Sequence, residues 1–491
     1  MCTVLNTYLI TRIKRFFIVL LIALFDIFQL WIVLHLQIKA GNNNLTGYVF
    51  SLSNRINLTT FTIFYLFLSP FLFSYFSITR SARQGLVEIV GKGSLYHVVN
   101  QQFHPGNPEG RELSEENIQV FLNELARGEP PGTLENLNML LSLGISVSKI
   151  IENSGIKSIK RVFISDQDIP NAFTLRILPI PYLGEDWIIL NRNVVDILEP
   201  DEIKAVVAHE IAHAARKDSW LNSFLSAPKL MIVFGWSIVF FKLIQIIFEE
   251  ELTGFSFARV FIVFLFLALM IYSVRIMNLM TDYTYRQSEF LADHYAAKFA
   301  GSEELVNALI KIGKRAEVMN SIQRELKWLS EKNAPVNLNE LMMFTLNAIP
   351  VKELSLRNAR FNVINMYVRN VLLNTFRSLK INIPPEQFEK MITDSVNSLL
   401  ELRETEPIKV LQGNLLISDN QQTIDLQKDE NLTRPEIKDL TGQLKQSGKQ
   451  IFENEVLENL GLLPKTRTHP QISSRIIFLY DSLIKNEVDH E

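Results

Sequence analysis

Polar and apolar positions are sharply segregated along this chain. Four stretches, Phe16–Ile38, Leu58–Ile78, Lys229–Phe248 and Phe257–Ile276, are almost wholly apolar. Each approaches the roughly 20 residues that a helix needs to cross a bilayer core. The first is too long for a signal-peptide core and no small-residue cleavage site follows it, so it reads as a retained anchor. Lys242 interrupts the third, at a cost of roughly 2.5–3.5 kcal/mol at mid-membrane unless it snorkels or pairs. A hairpin lying in the interface is therefore the alternative for the third and fourth runs. Asp26 lies inside the first run, where a satisfied polar contact between helices is the simplest reading.

The intervening segments carry soluble-protein patterns. A short strand is expected at Leu86–Val90, a helix near 114–127 and another over 136–155. Three β-rich pieces follow, Lys160–Ser165, Ala172–Ile180 and Trp187–Leu190, bounded by Pro170, Pro181 and Gly184 as in a small sheet. Glu199-Pro200-Asp201-Glu202 opens a helix, since proline suits its first position and acids its first turn. That helix is expected to run to about Asp218 and to pass almost directly into the third apolar run. After the fourth run, helix continues through Tyr285–Lys298 to Gly301, and apolar spacing predicts mostly helix over 302–402. Residues 404–450 are rich in Gln, Asn, Asp and Lys and read as a solvated linker. A short helix over Ile451–Leu460 and a terminal helix complete the chain.

This divides the chain into six parts. They are an N-terminal membrane hairpin (1–80), a first soluble part (81–226), a second hairpin (227–280), a helix continuing from it (281–301), a helical accessory region with a polar linker (302–465) and a closing segment (466–491). Arg12, Lys14 and Arg15 precede the first run, and Arg80 and Arg83 follow the second. Both flanks are thereby assigned to the cytoplasm, and the acidic Glu249–Thr253 connection to the far side. The expected location is the cell membrane, multi-pass, with the large polar regions 81–226 and 281–491 cytoplasmic. A net charge of −3 with no basic tail gives no support for nucleic acid as a partner. The single cysteine, Cys2, excludes a disulfide framework, a cysteine zinc finger and an iron–sulfur centre. Oligomeric state is not encoded in these patterns.

Chemistry concentrates at His209-Glu210-Ile211-Ala212-His213. Two histidines four apart on a helix project from one face, as two ligands of a tetrahedral zinc ion must. Glu210 beside them suits a general base acting on zinc-activated water. The flanking Ala205–Ala208, Ile211, Ala212 and Ala214 predict a buried helix, in which two imidazoles need a reason to be there. A third ligand is required. Glu289, returned to the same side by the fourth run, fills that role, with Asp293 one turn on to accept from a ligand histidine. His294 is the rival ligand.

These elements, in this order, resemble the HtpX-like membrane metallopeptidases, relatives of the CAAX prenyl protease and the mitochondrial OMA-type proteases. Asp201–His213 is similar to the family's HExxH helix, Glu289–Asp293 to its ExxxD element, Pro170-Asn171-Ala172-Phe173 to its NAF strand, and Thr468-His469-Pro470 with Arg475 to its HP…R element. The resemblance implies a mainly α fold with a small β-sheet, an α+β zincin/gluzincin catalytic domain, plus four transmembrane helices. It implies one Zn2+ per chain and protein or peptide substrates beside a lipid bilayer. It also implies that Asn171 binds substrate backbone, that His469 donates to the developing oxyanion and that Arg475 holds local structure or charge. The chain departs from the family where small residues after the NAF element are replaced by Thr174-Leu175-Arg176, and in the length of 302–465. Three other readings remain: an intramembrane protease, from which Lys204, Arg216, Lys217 and Asp218 around the motif argue; a prenyl-CAAX protease, which needs more than four membrane runs; and a scaffold with a vestigial site.

Overall fold

The computed structural model describes residues 2–35, 39–40, 43–44, 85–103, 115–130, 132–167, 170–177, 184–221, 257–331, 356–404, 431–459 and 469–484, with scattered positions from 68 to 79 and from 225 to 244. Most of the second and third apolar runs, the Glu249–Thr253 connection and Thr468 lie outside the described residues.

Short β-branched runs between Gly and Pro punctuation build one mixed four-stranded sheet. Its strands are β1 (Leu86–Val90), β2 (Ile159–Ser165), β3 (Ala172–Arg176) and β4 (Asp186–Asn191), in the order β1-β2-β4-β3. β2 and β4 are parallel, and the outer pairings are antiparallel. β3 is thus an edge strand. Arg176 and Asp186 face each other in its register and form a buried ion pair at 3.1 Å, so the family departure at Arg176 pins this edge to the sheet. The second of the three expected β-rich pieces, Ala172–Ile180, forms strand only to Arg176, with Ile177 in a bend and residues 178–180 outside the described residues.

Helix α1 (Cys2–His35) precedes this sheet in the chain, α2 (Leu95–Phe103), α3 (Glu115–Leu125) and α4 (Thr133–Ser154) come between β1 and β2, and α5 (Arg192–Ile197) follows β4; of these, α2 and α4 pack on β1. α2 and α5 are too short for periodicity to reveal. α6 (Pro200–Ala215) carries the two histidines and begins with Pro200 and a capping box in which the Glu199 N–H donates to Glu202 at 2.8 Å. Val206, Val207 and Ile211 pack onto Leu143, Val147, Ile164 and Leu190, while Ala205 and Ala208 meet Leu305, Val306 and Leu309. The buried helix expected from the alanine-rich flanks is present.

Two helical expectations change. α6 stops at Ala215, not Asp218, because Lys217 takes a left-handed conformation with φ 55° and a new turn begins beyond it. The segment predicted as solvated linker contains an ordered helix, α11 (Arg434–Ser447), burying Ile437, Leu440 and Leu444. Its Thr433/Glu436 capping box and a two-way clasp of Leu432 backbone by the Asn307 side chain, at 2.8 and 3.1 Å, fix it to the core.

α7 (Phe257–Ala300) is one continuous helix of 44 residues, so the expected boundary at 280 falls within it. It ends at Gly301, whose φ of 113° only glycine adopts comfortably. Among the described residues it holds the one stretch long and apolar enough to cross a membrane, within Val263–Ala300. α8 (Ser302–Glu331) packs its first half on α6, and its second half on α9 (Leu356–Leu379) and α10 (Pro385–Glu404). α12 (Glu453–Asn459) and α13 (Ile472–Leu479), extended by a π-turn over Tyr480–Ile484, close the core. Asp26 on α1 is buried, and its Oδ1 lacks a hydrogen-bond partner, so the satisfied contact expected there is not made by that atom.

Candidate metal centre

Helices α6 and α7 cross so that three predicted ligands converge. His209 Nε2 and His213 Nε2 are 3.1 Å apart, and Glu289 places Oε2 3.5 Å from the first and Oε1 3.4 Å from the second. A tetrahedral zinc ion with ligands at about 2.0–2.1 Å has ligand-to-ligand edges of about 3.3–3.4 Å. The three separations are close to that size, the two to Glu289 being made by different oxygens of its carboxylate. Each Nδ1 faces a carboxylate, which favours the proton there and leaves the two Nε2 lone pairs pointing at each other. At 3.1 Å two bare lone pairs would repel, so the pair takes either a proton, as a hydrogen bond from the His213 imidazolium, or a metal ion in its place. Glu289 Oε2 is buried without a hydrogen-bond partner. The residues present therefore fit a zinc ion.

Both imidazoles are backed by an acid and a base. His209 Nδ1 lies 2.9 Å from Asp293 Oδ1, a charge contact too bent to count as a hydrogen bond. Asp293 in turn accepts from Arg475 Nε at 2.7 Å. His213 Nδ1 lies 2.8 Å from Asp218 Oδ2, which also accepts from Ser288 Oγ at 2.6 Å and Arg216 Nη2 at 3.1 Å. Sequence spacing missed Asp218. Five residues along an unbroken helix is 140° round from His213, and only the break at Lys217 folds the carboxylate back.

Charge follows geometry. Burial disfavours the His213 imidazolium, but Asp218 and Glu289 outweigh it and push its pKa up to about 10. Burial opposes ionisation of Glu289, yet the imidazoles of His209, His213 and His469 hold it well below the usual carboxylate range. Asp218 is likewise lowered against burial by His213, Arg216 and Arg15. A metal-free centre thus carries a proton on His213 at neutral pH, and a metal ion must displace it. Apparent zinc affinity is expected to rise about tenfold per unit across roughly pH 6–8 for one displaced proton. Competition titrations with a chelator check the slope, and a flat profile contradicts it.

Glu210 lies beside the donors, with a carboxylate oxygen within 4.8 Å of the histidine nitrogens, and lines the same cleft. The Thr174 hydroxyl lies 2.8 Å from Glu210 Oε2 and 2.9 Å from its backbone oxygen. The departure from small residues after the NAF element thus places a donor on the predicted base. Thr174→Val is expected to lower kcat roughly tenfold, the worth of a hydrogen bond to a charged group of about 1.5 kcal/mol, with zinc content unchanged. Steady-state kinetics beside metal analysis read this directly.

A cavity of about 320 Å³ opens over the centre. Asn171 and Ala172 of the edge strand line one side, and His469 and Arg475 another. Asn171 uses its backbone oxygen to accept from the Asn191 N–H at 2.9 Å. His469, with its side chain 56% exposed, sets Nδ1 3.1 Å from Glu289 Oε2. His294 is not brought to the centre. Its ring stacks on Tyr8 at 4.4 Å with Nδ1 3.4 Å from Ser482, so the rival ligand falls away.

Two imidazoles and a carboxylate drawn together, with a further carboxylate lining the same cleft, are a side-chain set suited to a metallopeptidase. The pattern of Peptidase family M48 matches residues 142–482, and the chain belongs to that family. Curated relatives agree with the resemblance to HtpX-like metallopeptidases. The Protease HtpX homolog of Thermoplasma acidophilum is 38% identical over 104 residues, covering 21% of this chain and 30% of its own. Protease HtpX of Hydrogenovibrio crunogenus is 26% identical over 168 residues, covering 34% and 54%. The Protease HtpX homolog of Methanocaldococcus jannaschii is 23% identical over 175 residues, covering 35% and 57%. The chain thus spans about a third to just over half of these relatives' lengths. No solved structure matches.

Proposed function

We propose that the chain is a membrane-anchored, zinc-dependent endopeptidase that hydrolyses peptide bonds of membrane or unfolded proteins at the cytoplasmic face. The observation carrying this is the convergence of His209, His213 and the Glu289 carboxylate at separations of 3.1 to 3.5 Å, with Glu210 beside them on the same cleft. Zinc, when bound there, supplies Lewis acidity to the scissile carbonyl and makes water acidic enough to ionise near neutral pH. Glu210, steadied by Thr174, takes the proton from the attacking water and returns it to the leaving amine. His469, whose side chain is 56% exposed at the cleft, donates to the developing oxyanion. Asn171, on the edge-strand side, holds substrate backbone, the role an unpaired strand edge suits. Asp293 and Asp218 keep each imidazole in its ligating orientation, and Arg475 keeps Asp293 charged.

Substrate side chains enter an apolar inner wall formed by Leu309, Ile312, Phe452 and Ile472. The long 302–465 region thereby supplies part of the cleft. Gly313 permits this wall, because a Cβ there would lie 2.5 Å from Ile472 Cδ1 and 2.6 Å from Phe452. This apolar wall suits the hydrophobic segments that unfolded and membrane proteins expose, with Glu455 and Glu458 lining the same cavity.

In this reading all four apolar runs cross the bilayer, and residues 81–226 and 281–491 lie on the cytoplasmic side. Support comes from the apolar faces of α1 and α7, where Phe16, Phe17, Leu24, Phe261, Phe264 and Tyr272 are exposed. Contiguous apolar surface of this kind marks contact with lipid or protein. The test is reconstitution of the full chain into vesicles with zinc and an unfolded reporter protein. Chelator-sensitive cleavage by the outward-facing cytoplasmic portion is expected, and none in matched vesicles would overturn the reading. A fusion map with more than four crossings would favour a prenyl-CAAX protease instead.

A further inference from the structure

We propose that Arg15, on the first apolar helix, is a positioning residue of the metal centre. Through Asp218 it fixes the imidazole of His213, so the amino-terminal anchor is a working part of the site as well as its tether. This rests on the reading that His209, His213 and Glu289 hold zinc.

Arg15 Nη2 donates to Asp218 Oδ1 at 2.5 Å, across 203 residues of sequence. The other oxygen of the same carboxylate takes His213 Nδ1, Ser288 and Arg216. Arg15 is therefore the only described side chain shown on Oδ1, and its loss leaves that oxygen free to rotate away. Both members are buried, at 9% and 3% side-chain exposure. An ionised carboxylate so placed requires an opposite charge against it.

A bland account of Arg15 exists. Three basic residues, Arg12, Lys14 and Arg15, precede the apolar run, and orientation in a membrane needs only their charge. Burial separates them. Arg12 and Lys14 are exposed, whereas Arg15 lies with Thr11, Ile22 and Asp26 on the buried side of α1. Topology gives no reason to desolvate one of the three.

The arrangement also mirrors the other histidine. His209 is backed by Asp293 and then Arg475; His213 is backed by Asp218 and then Arg15. Each imidazole meets an acid whose charge is held by a buried guanidinium from a distant part of the chain. The second guanidinium comes from the anchor. α1 is located there by a further contact, the Tyr8 ring stacked on His294 at 4.4 Å and 22°.

The experiment uses the full chain in detergent micelles, comparing wild type with Arg15→Met, Arg15→Lys and Arg12→Met. Zinc affinity is read by chelator competition, geometry by the visible spectrum of the cobalt-substituted protein, and turnover on an unfolded substrate. Wild type and Arg12→Met are expected to match. Arg15→Met is expected to bind zinc about tenfold more weakly, since Arg216 remains and losses behind a ligand run roughly 10–100-fold. Its cobalt spectrum shifts and its kcat falls with KM unchanged, and Arg15→Lys recovers part of each. Wild-type affinity and spectrum in Arg15→Met overturn the proposal. So does an equal loss in Arg12→Met, which assigns the effect to membrane insertion. If Arg15→Met is recovered only as aggregate, Arg15→Gln is read in its place, and wild-type behaviour there is equally contrary. A wild-type chain that binds no zinc overturns the functional reading first, a different result from a zinc-binding chain indifferent to Arg15.

Discussion

Glu210→Gln is expected to retain a full complement of zinc and to lose about 100- to 10,000-fold in kcat, the range that a positioned general base supplies. Glutamine keeps the shape of the side chain and can still meet the Thr174 hydroxyl 2.8 Å away in the wild type. What it cannot do is take a proton. The two halves of the result separate roles that the sequence places side by side, because Glu210 adjoins His209 and lies within 4.8 Å of the histidine nitrogens. A variant that lost zinc would make Glu210 a ligand. Undiminished turnover would remove it from the chemistry.

The second large effect is at the third ligand. Glu289→Ala is expected to weaken zinc binding by more than the roughly 10–100-fold typical of losing a partner behind a ligand. It removes one corner of the donor triangle and leaves the His209 and His213 nitrogens 3.1 Å apart with only each other. Turnover falls with it and is not restored by saturating metal, since two imidazoles alone cannot hold zinc in the same place. Equilibrium dialysis against buffered zinc measures this. Full stoichiometry at wild-type affinity would exclude Glu289 from the centre.

The two histidines and Glu289 are legible because His209 with His213, and Glu289 with Asp293, repeat at four residues on a helix, and the structure brings these two helix faces together. Glu210 is legible only by its place beside His209. Asp218 and Arg15 were not legible. Asp218 reaches His213 only through the left-handed residue Lys217, and a local conformation of that kind has no periodic signal. Arg15 lies 203 residues from its partner, and its charge had a sufficient explanation in membrane orientation. Helix α11 was hidden by composition, since its few buried positions, Ile437, Leu440 and Leu444, are diluted by Lys, Gln and Asp. Its Thr433-Arg434-Pro435-Glu436 capping signature was nonetheless present in the sequence. The apolar runs divide similarly. Apolar runs predicted α1 and α7, while two further runs lie mostly outside the described residues.

The central claim is that His209, His213 and Glu289 together hold one zinc ion. X-ray absorption at the zinc edge of the purified full chain tests it most directly, with metal analysis of the same sample. The account predicts one zinc per chain with two imidazole nitrogens and a carboxylate oxygen at about 2.0–2.2 Å, the carboxylate contribution vanishing in Glu289→Ala. A chain that retains no zinc, or whose zinc shell is unchanged in that variant, would contradict it.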